Sequence, residues 1–145
     1  MTISAGIVAD ASLGGALNSL GRALSRRVDD VVDGCGLSAD HWYALEVIVR
    51  NDGIAMTELA RQLSIPAPTV TKFVDRLVSE ALVFRLADHL DRRRILVHTS
   101  RRGDDIYRQL LPEVLRVEHE FRSNLTDADA STLRAILSTT RQDTD

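Results

Sequence analysis

Cysteine is almost missing from this chain: Cys35 stands alone among 145 residues, so neither an intramolecular disulfide nor a cysteine-based zinc site can be built. Nothing marks Cys35 as reactive, since its nearest charges, Asp33 and Asp40, are acidic rather than basic. No stretch approaches the ~20 consecutive apolar residues that span a bilayer. The first ten residues show no basic segment followed by an apolar one, and the expectation is a cytoplasmic protein with no membrane partner. Catalytic signatures are missing too. The four histidines (His41, His89, His98, His119) fall in no metal-ligand spacing, and neither a nucleophile elbow nor a glycine-rich phosphate loop is present. Glu118, His119 and Glu120 are consecutive on a helix and point to different faces, which makes them a poor metal site. The chain is therefore expected to be no enzyme and to need no metal or cofactor.

An excess of base is also lacking, because the formal net charge is -3. Its distribution is uneven. Between Arg85 and Arg102 six arginines face only Asp88 and Asp91, so that stretch carries +4 and leaves -7 elsewhere. Local base in an acidic body is the footprint of a protein that meets phosphate over a small area.

Residues 12–33 place Leu13, Leu17, Leu20, Leu24, Val28 and Val31 on one helical face, and Gly34-Cys35-Gly36 stops it. Ser38 is an N-cap for a second helix, with Trp42, Leu45 and Ile48 or Val49 inward and Asn51-Asp52-Gly53 as its C-terminal turn. Glu58 to Leu63 forms a short third helix, its cap lying between Ala55 and Thr57. Proline is tolerated in a first turn, so a fourth helix starts at Pro66-Ala67-Pro68 and runs through Leu82, burying Val70, Phe73, Val74 and Leu77. The period then changes. Leu82 to Ala87 and Arg94 to Thr99 form a hairpin around a charged tip. Gly103 to Leu125 is helical again, with Ile106, Leu110, Val114, Val117 and Phe121 on one stripe and a bend expected at Pro112. Thr126 and Asp129 form a capping box for a last helix. The order is α-α-α-α-β-β-α-α: an α+β chain, mostly α.

Two short helices joined by a turn and followed by a hairpin make a winged helix-turn-helix, whose second helix enters the major groove. The outward residues of that helix are Pro68, Thr69, Thr71, Lys72 and Arg76, small groups for base edges and long cations for guanine or phosphate. Its first turn offers free backbone N–H groups to a phosphate. In the hairpin, Arg92, Arg93 and Arg94 repel one another unless something negative meets them, and guanidinium groups suit a narrow minor groove. Asp91 either closes the turn or orients an arginine.

In order and spacing, Leu37-Ser38 with Trp42 and Leu45, Glu58-Leu59-Ala60, Thr69-Val70-Thr71-Lys72, Val74-Asp75-Arg76-Leu77, Leu82-Val83 with Arg85, Asp91-Arg92-Arg93 and Thr99 to Gly103 resemble the MarR (multiple antibiotic resistance regulator) family, over about residues 12 to 140. Ala81 departs from the glycine usual there, and a positive φ at that point would be strained. The resemblance implies a single domain over residues 1–145, with dimerisation helices at 12–33 and 103–143 and a DNA-binding region at 38–102. It implies a homodimer on a pseudo-palindromic double-stranded DNA operator, acting as a ligand-responsive repressor. It also implies a small aromatic or phenolic effector in a cleft lined by Arg26, His41, Trp42 and Tyr43, although Trp42 also fits the core. The alternative is a winged-helix protein–protein adaptor, which has no need of three consecutive wing arginines.

Overall fold

The computed structural model describes residues 13–142. Its elements are α1 (Leu13–Val32), a 3-10 turn (Asp33–Cys35), α2 (Ala39–Arg50), β1 (Ile54–Ala55), α3 (Met56–Leu63), α4 (Ala67–Ser79), β2 (Val83–Ala87), β3 (Ile95–Thr99), α5 (Arg101–Ser123) and α6 (Asp127–Gln142). Ser12 and residue 143, where the expected outer helices begin and end, lie outside the described residues, as does the side chain of Leu13. None of the helices among the described residues is long and apolar enough to cross a membrane.

Ser38 caps α2 as expected, and its partner in the capping box is His41, whose Nδ1 accepts the Ser38 N–H at 3.0 Å. Asp29 of α1 adds a second acceptor, taking the Ala39 N–H at 2.6 Å. The start of α2 is thereby fixed against α1, and Trp42, Leu45 and Ile48 enter the core, with Ile48 fully buried and Val49 only half-buried. Trp42 stacks on Tyr107 of α5, ring centroids 4.9 Å apart.

Several boundaries differ from the sequence reading. The third helix begins at Met56, and its N-cap Ala55 supplies no side-chain bond. The fourth ends at Ser79 rather than running through Leu82, because Ala81 takes the left-handed conformation (φ 58°) and Leu82 N–H closes on Leu77 O at 2.9 Å. Phe73 is half-buried, packed against the core and edge-on to His41. Helix α5 begins at Arg101, capped by Ser100, and continues through Pro112 without interruption.

A third strand was not foreseen. Ile54 and Ala55 pair with Val97 and Leu96, so the antiparallel sheet has the order β1-β3-β2. Gly53 makes this pairing feasible: its φ is +82°, and a Cβ there would stand 2.5 Å from the His98 ring. Gly103 serves closeness instead, since a Cβ would fall 2.0 Å from Leu82 O and push α5 off the base of the wing. One core runs from Val28 and Val32 through Trp42, Leu45, Leu59, Val74 and Leu77 to Val83, Val97 and Val114. It seats α4 and the wing on the same body.

Candidate nucleic-acid interface

Helix α4 buries Val70, Val74 and Leu77 and turns Pro68, Thr71, Lys72 and Arg76 outward, with Thr69 half-buried. Its first turn is less open than expected. Pro68 has no N–H, and the N–H groups of Thr69 and Val70 both donate to Pro66 O, at 3.0 and 3.1 Å. Only the Ala67 N–H is left for a phosphate in that turn. The Thr71 hydroxyl donates back to Ala67 O at 3.0 Å, which leaves its methyl group and oxygen lone pairs outward.

Arg76 does something the sequence did not suggest. Its Nε and Nη2 donate to Gly36 O at 3.3 and 3.0 Å, and Nη2 also meets Glu80 Oε1 at 3.1 Å. The guanidinium thus fastens α4 to the α1–α2 connection instead of standing free like Lys72. His41 lies in the same junction, and burial, followed by the nearby Arg76 charge, lowers its pKa from the ordinary 6.5.

In the wing, Asp91 closes the turn and lies near the Arg93 guanidinium: its Oδ1 accepts the Arg93 N–H at 3.1 Å and lies 3.8 Å from Arg93 Nε. Arg93 keeps 98% of its side chain exposed. Arg94 turns inward toward Asp88 at 3.8 Å, while Arg92 is exposed and meets no carboxylate among the described residues. The arginine run therefore divides into two reaching side chains and one brace. Arg85 was part of the basic count but has a structural partner: its Nη2 donates to Asp75 Oδ1 at 2.5 Å, tying β2 to α4. Alternation in β2 gave no hint of this bond, because it joins a strand to the polar face of a helix. Arg102 likewise donates to Glu80 O at 3.1 Å.

The four residues expected to line an effector cleft differ in exposure and partners. Trp42 is 1% exposed and stacked in the core, Arg26 is exposed on α1, and burial raises the pKa of Tyr43, whose hydroxyl bonds to Ser25. His41 is held by Ser38. A cavity of about 390 Å³ opens elsewhere, between Gly34-Cys35-Gly36, Glu80, Leu82, Arg102 and Ile106.

A helix pair followed by an arginine-tipped wing on a common core defines a winged helix-turn-helix protein. The sequence model of the MarR family matches residues 36–94. MarR from E. coli, solved as a cysteine-to-serine mutant complexed with operator DNA, is 27% identical with a TM-score of 0.79, over 88% of this chain and 92% of that one. The regulator SlyA shares the fold with a TM-score of 0.81 at 16% identity, covering 92% and 94% of the two chains. A putative transcriptional regulatory protein for the hcr operon of Thauera aromatica is 28% identical over 102 residues, 70% of this chain but 61% of the relative's length. The Bacillus subtilis HTH-type regulator YwoH is 24% identical over 78% of this chain and 82% of its own. Over residues 36–94 the chain is similar to the MarR family, and it shares the fold of MarR and SlyA.

Proposed function

We propose that this protein binds double-stranded DNA as a homodimer, recognises a pseudo-palindromic operator and represses transcription from it in the cytoplasm. The observation that carries the reading is the Arg85–Asp75 bond, which locks the arginine-tipped wing to α4 so that both present to one duplex. Lys72 and Pro68 with Thr69 then face the major groove, and Arg92 and Arg93 face the adjoining minor groove. That MarR, of similar fold, is complexed with operator DNA supports double-stranded DNA as the partner. The division of labour follows: residues 38–102 bind DNA, while 12–33 and 103–143 hold two copies together. Release by a small aromatic or phenolic effector belongs to the same reading. Its site fits the cavity beside Gly36 better than the face of Trp42, because the cavity is open and lies where the Arg76 clasp joins α4 to the α1–α2 connection.

The test is a pair of variants read as salt dependences. Thr69→Val is expected to cost discrimination between operator and competitor DNA, about 1–3 kcal/mol for one specific contact, and to leave the salt slope alone. Arg93→Ala is expected to weaken operator and A·T-rich competitor together and to make the slope of log K against log salt shallower by roughly one charge per wing. An unchanged affinity and slope for Arg93→Ala would make the wing a solvated charge run and favour the adaptor reading.

A further inference from the structure

Leu90, at the tip of the wing, is 91% exposed, whereas the other large apolar side chains at the surface range from 36% to 55% and keep about half their area covered. A leucine held this far from the body forgoes the burial that normally stabilises it. The backbone that carries it is held by hydrogen bonds on both sides. The Leu90 N–H donates to Asp88 Oδ1 at 2.9 Å, and Asp88, itself buried, donates its own N–H to Arg94 O at 2.8 Å. On the far side the tip is closed by Arg94 N–H to Asp91 O at 2.9 Å and by Arg93 N–H to Asp91 Oδ1 at 3.1 Å. Two carboxylate-braced turns therefore carry Leu90, with Arg92 and Arg93 next to it.

Those neighbours select the occupant. Exposed guanidinium groups draw the tip to a polyanion, and an exposed apolar side chain on a hydrogen-bonded turn beside them suits one whose interior is apolar and reached from a groove. The Arg85–Asp75 bond joins β2 of the wing to α4, so the tip and the outward face of α4 belong to one surface, which fits a duplex better than a flat lipid surface. We propose that Leu90 is an apolar wedge that enters the minor groove beside Arg93 and unstacks a base step there, giving the protein a preference for flexible pyrimidine–purine steps under the wing. The proposal rests on the DNA-binding reading above.

Two A·T-rich duplexes of about 30 bp, one carrying TpA steps and one built of uninterrupted A-tracts, each labelled with 2-aminopurine, serve as probes. The wild-type protein is expected to favour the TpA duplex and to raise its 2-aminopurine fluorescence. Leu90→Ala should abolish both effects, lowering affinity for that duplex by roughly ten- to a hundredfold, the factor that burying one leucine provides. Its salt slope should stay at the wild-type value, because no charge is lost. Leu90→Met should restore most of the preference. If Leu90→Ala keeps wild-type affinity and fluorescence while Arg93→Ala weakens both duplexes, the wedge is overturned and the DNA interface stands. Should the wild-type protein bind neither duplex, the interface falls and the wedge with it. A loss confined to phosphatidylserine vesicles would name a membrane as the occupant and also overturn the wedge.

Discussion

Ala81 carries its side chain at φ 58°, a conformation that costs an L-residue roughly 1–2 kcal/mol and glycine almost nothing. It is held there on both sides. The Ala81 N–H donates to Val78 O at 2.9 Å, and its carbonyl accepts the Ser100 hydroxyl at 2.7 Å. The strain is therefore spent on seating the wing against the start of α5, where Gly103 has already been reduced to a bare Cα. Ala81→Gly should relieve that strain and lose part of the gain to the freer unfolded chain, for a net stabilisation of about 0.5–1 kcal/mol. Urea unfolding reads it directly: the midpoint should rise at constant m, and an unchanged or lower midpoint would show that the turn adapts to alanine without strain.

At the scale of elements, the junction between α2 and α4 holds a histidine whose titration is shifted by its surroundings. His41 Nδ1 accepts from Ser38, its ring meets Phe73 edge-on at 5.5 Å, and Arg76 of α4, Asp40 of α2 and Asp29 of α1 act on its charge. Burial and Arg76 outweigh the two carboxylates, so the folded protein holds the neutral ring and binds a proton less readily than the unfolded chain. Stability from this site is thus complete above about pH 6.5 and declines as pH falls below it. His41→Gln keeps an acceptor at the capping-box position and removes the titration. The variant should lose less stability than wild type between about pH 7.5 and pH 5.5 in urea unfolding; an equal loss would place the pH dependence elsewhere. Much of this architecture was legible from pattern: the 3.6-residue periodicity located all six helices, and Ser38 and Thr126 marked two starts. What escaped was set by contacts distant in sequence. A two-residue β1 is too short to show alternation, and the apolar Leu82 extends the α4 periodicity past the point where Ala81 turns the backbone. Arg76 and Lys72 look alike on a helical wheel, yet only Arg76 finds the Gly36 carbonyl. The wing arginines were legible as a charge cluster, but only the fold separates Arg93, which reaches out, from Arg94, which braces Asp88.

For the whole molecule, the distribution of apolar surface bears on assembly. Helix α1 buries Val28 and Val32 but leaves Leu17 45% exposed, and Leu115 of α5 and Leu137 of α6 remain 52% and 55% exposed. These three helices are the ones proposed to hold two copies together, and their uncovered leucines lie outside the core shared by α2, α4 and the wing. A second copy would bury them by the same self-complementary contact on both sides. Placing a charge there should separate the copies, so Leu17→Glu combined with Leu137→Glu is expected to sediment as a monomer while retaining the helical circular dichroism of the DNA-binding region. Function then follows from tethering. A dimer that has engaged one half-site presents its second head to the other at an effective concentration in the millimolar range, provided the half-sites are about one helical turn apart. The double variant should therefore lose roughly 10²–10⁴-fold in affinity for a duplex with two half-sites, and little for a duplex with one. Retention of the dimer by the double variant would assign the interface to other residues. A monomer that still bound the two-half-site duplex at wild-type strength would show instead that each head binds alone.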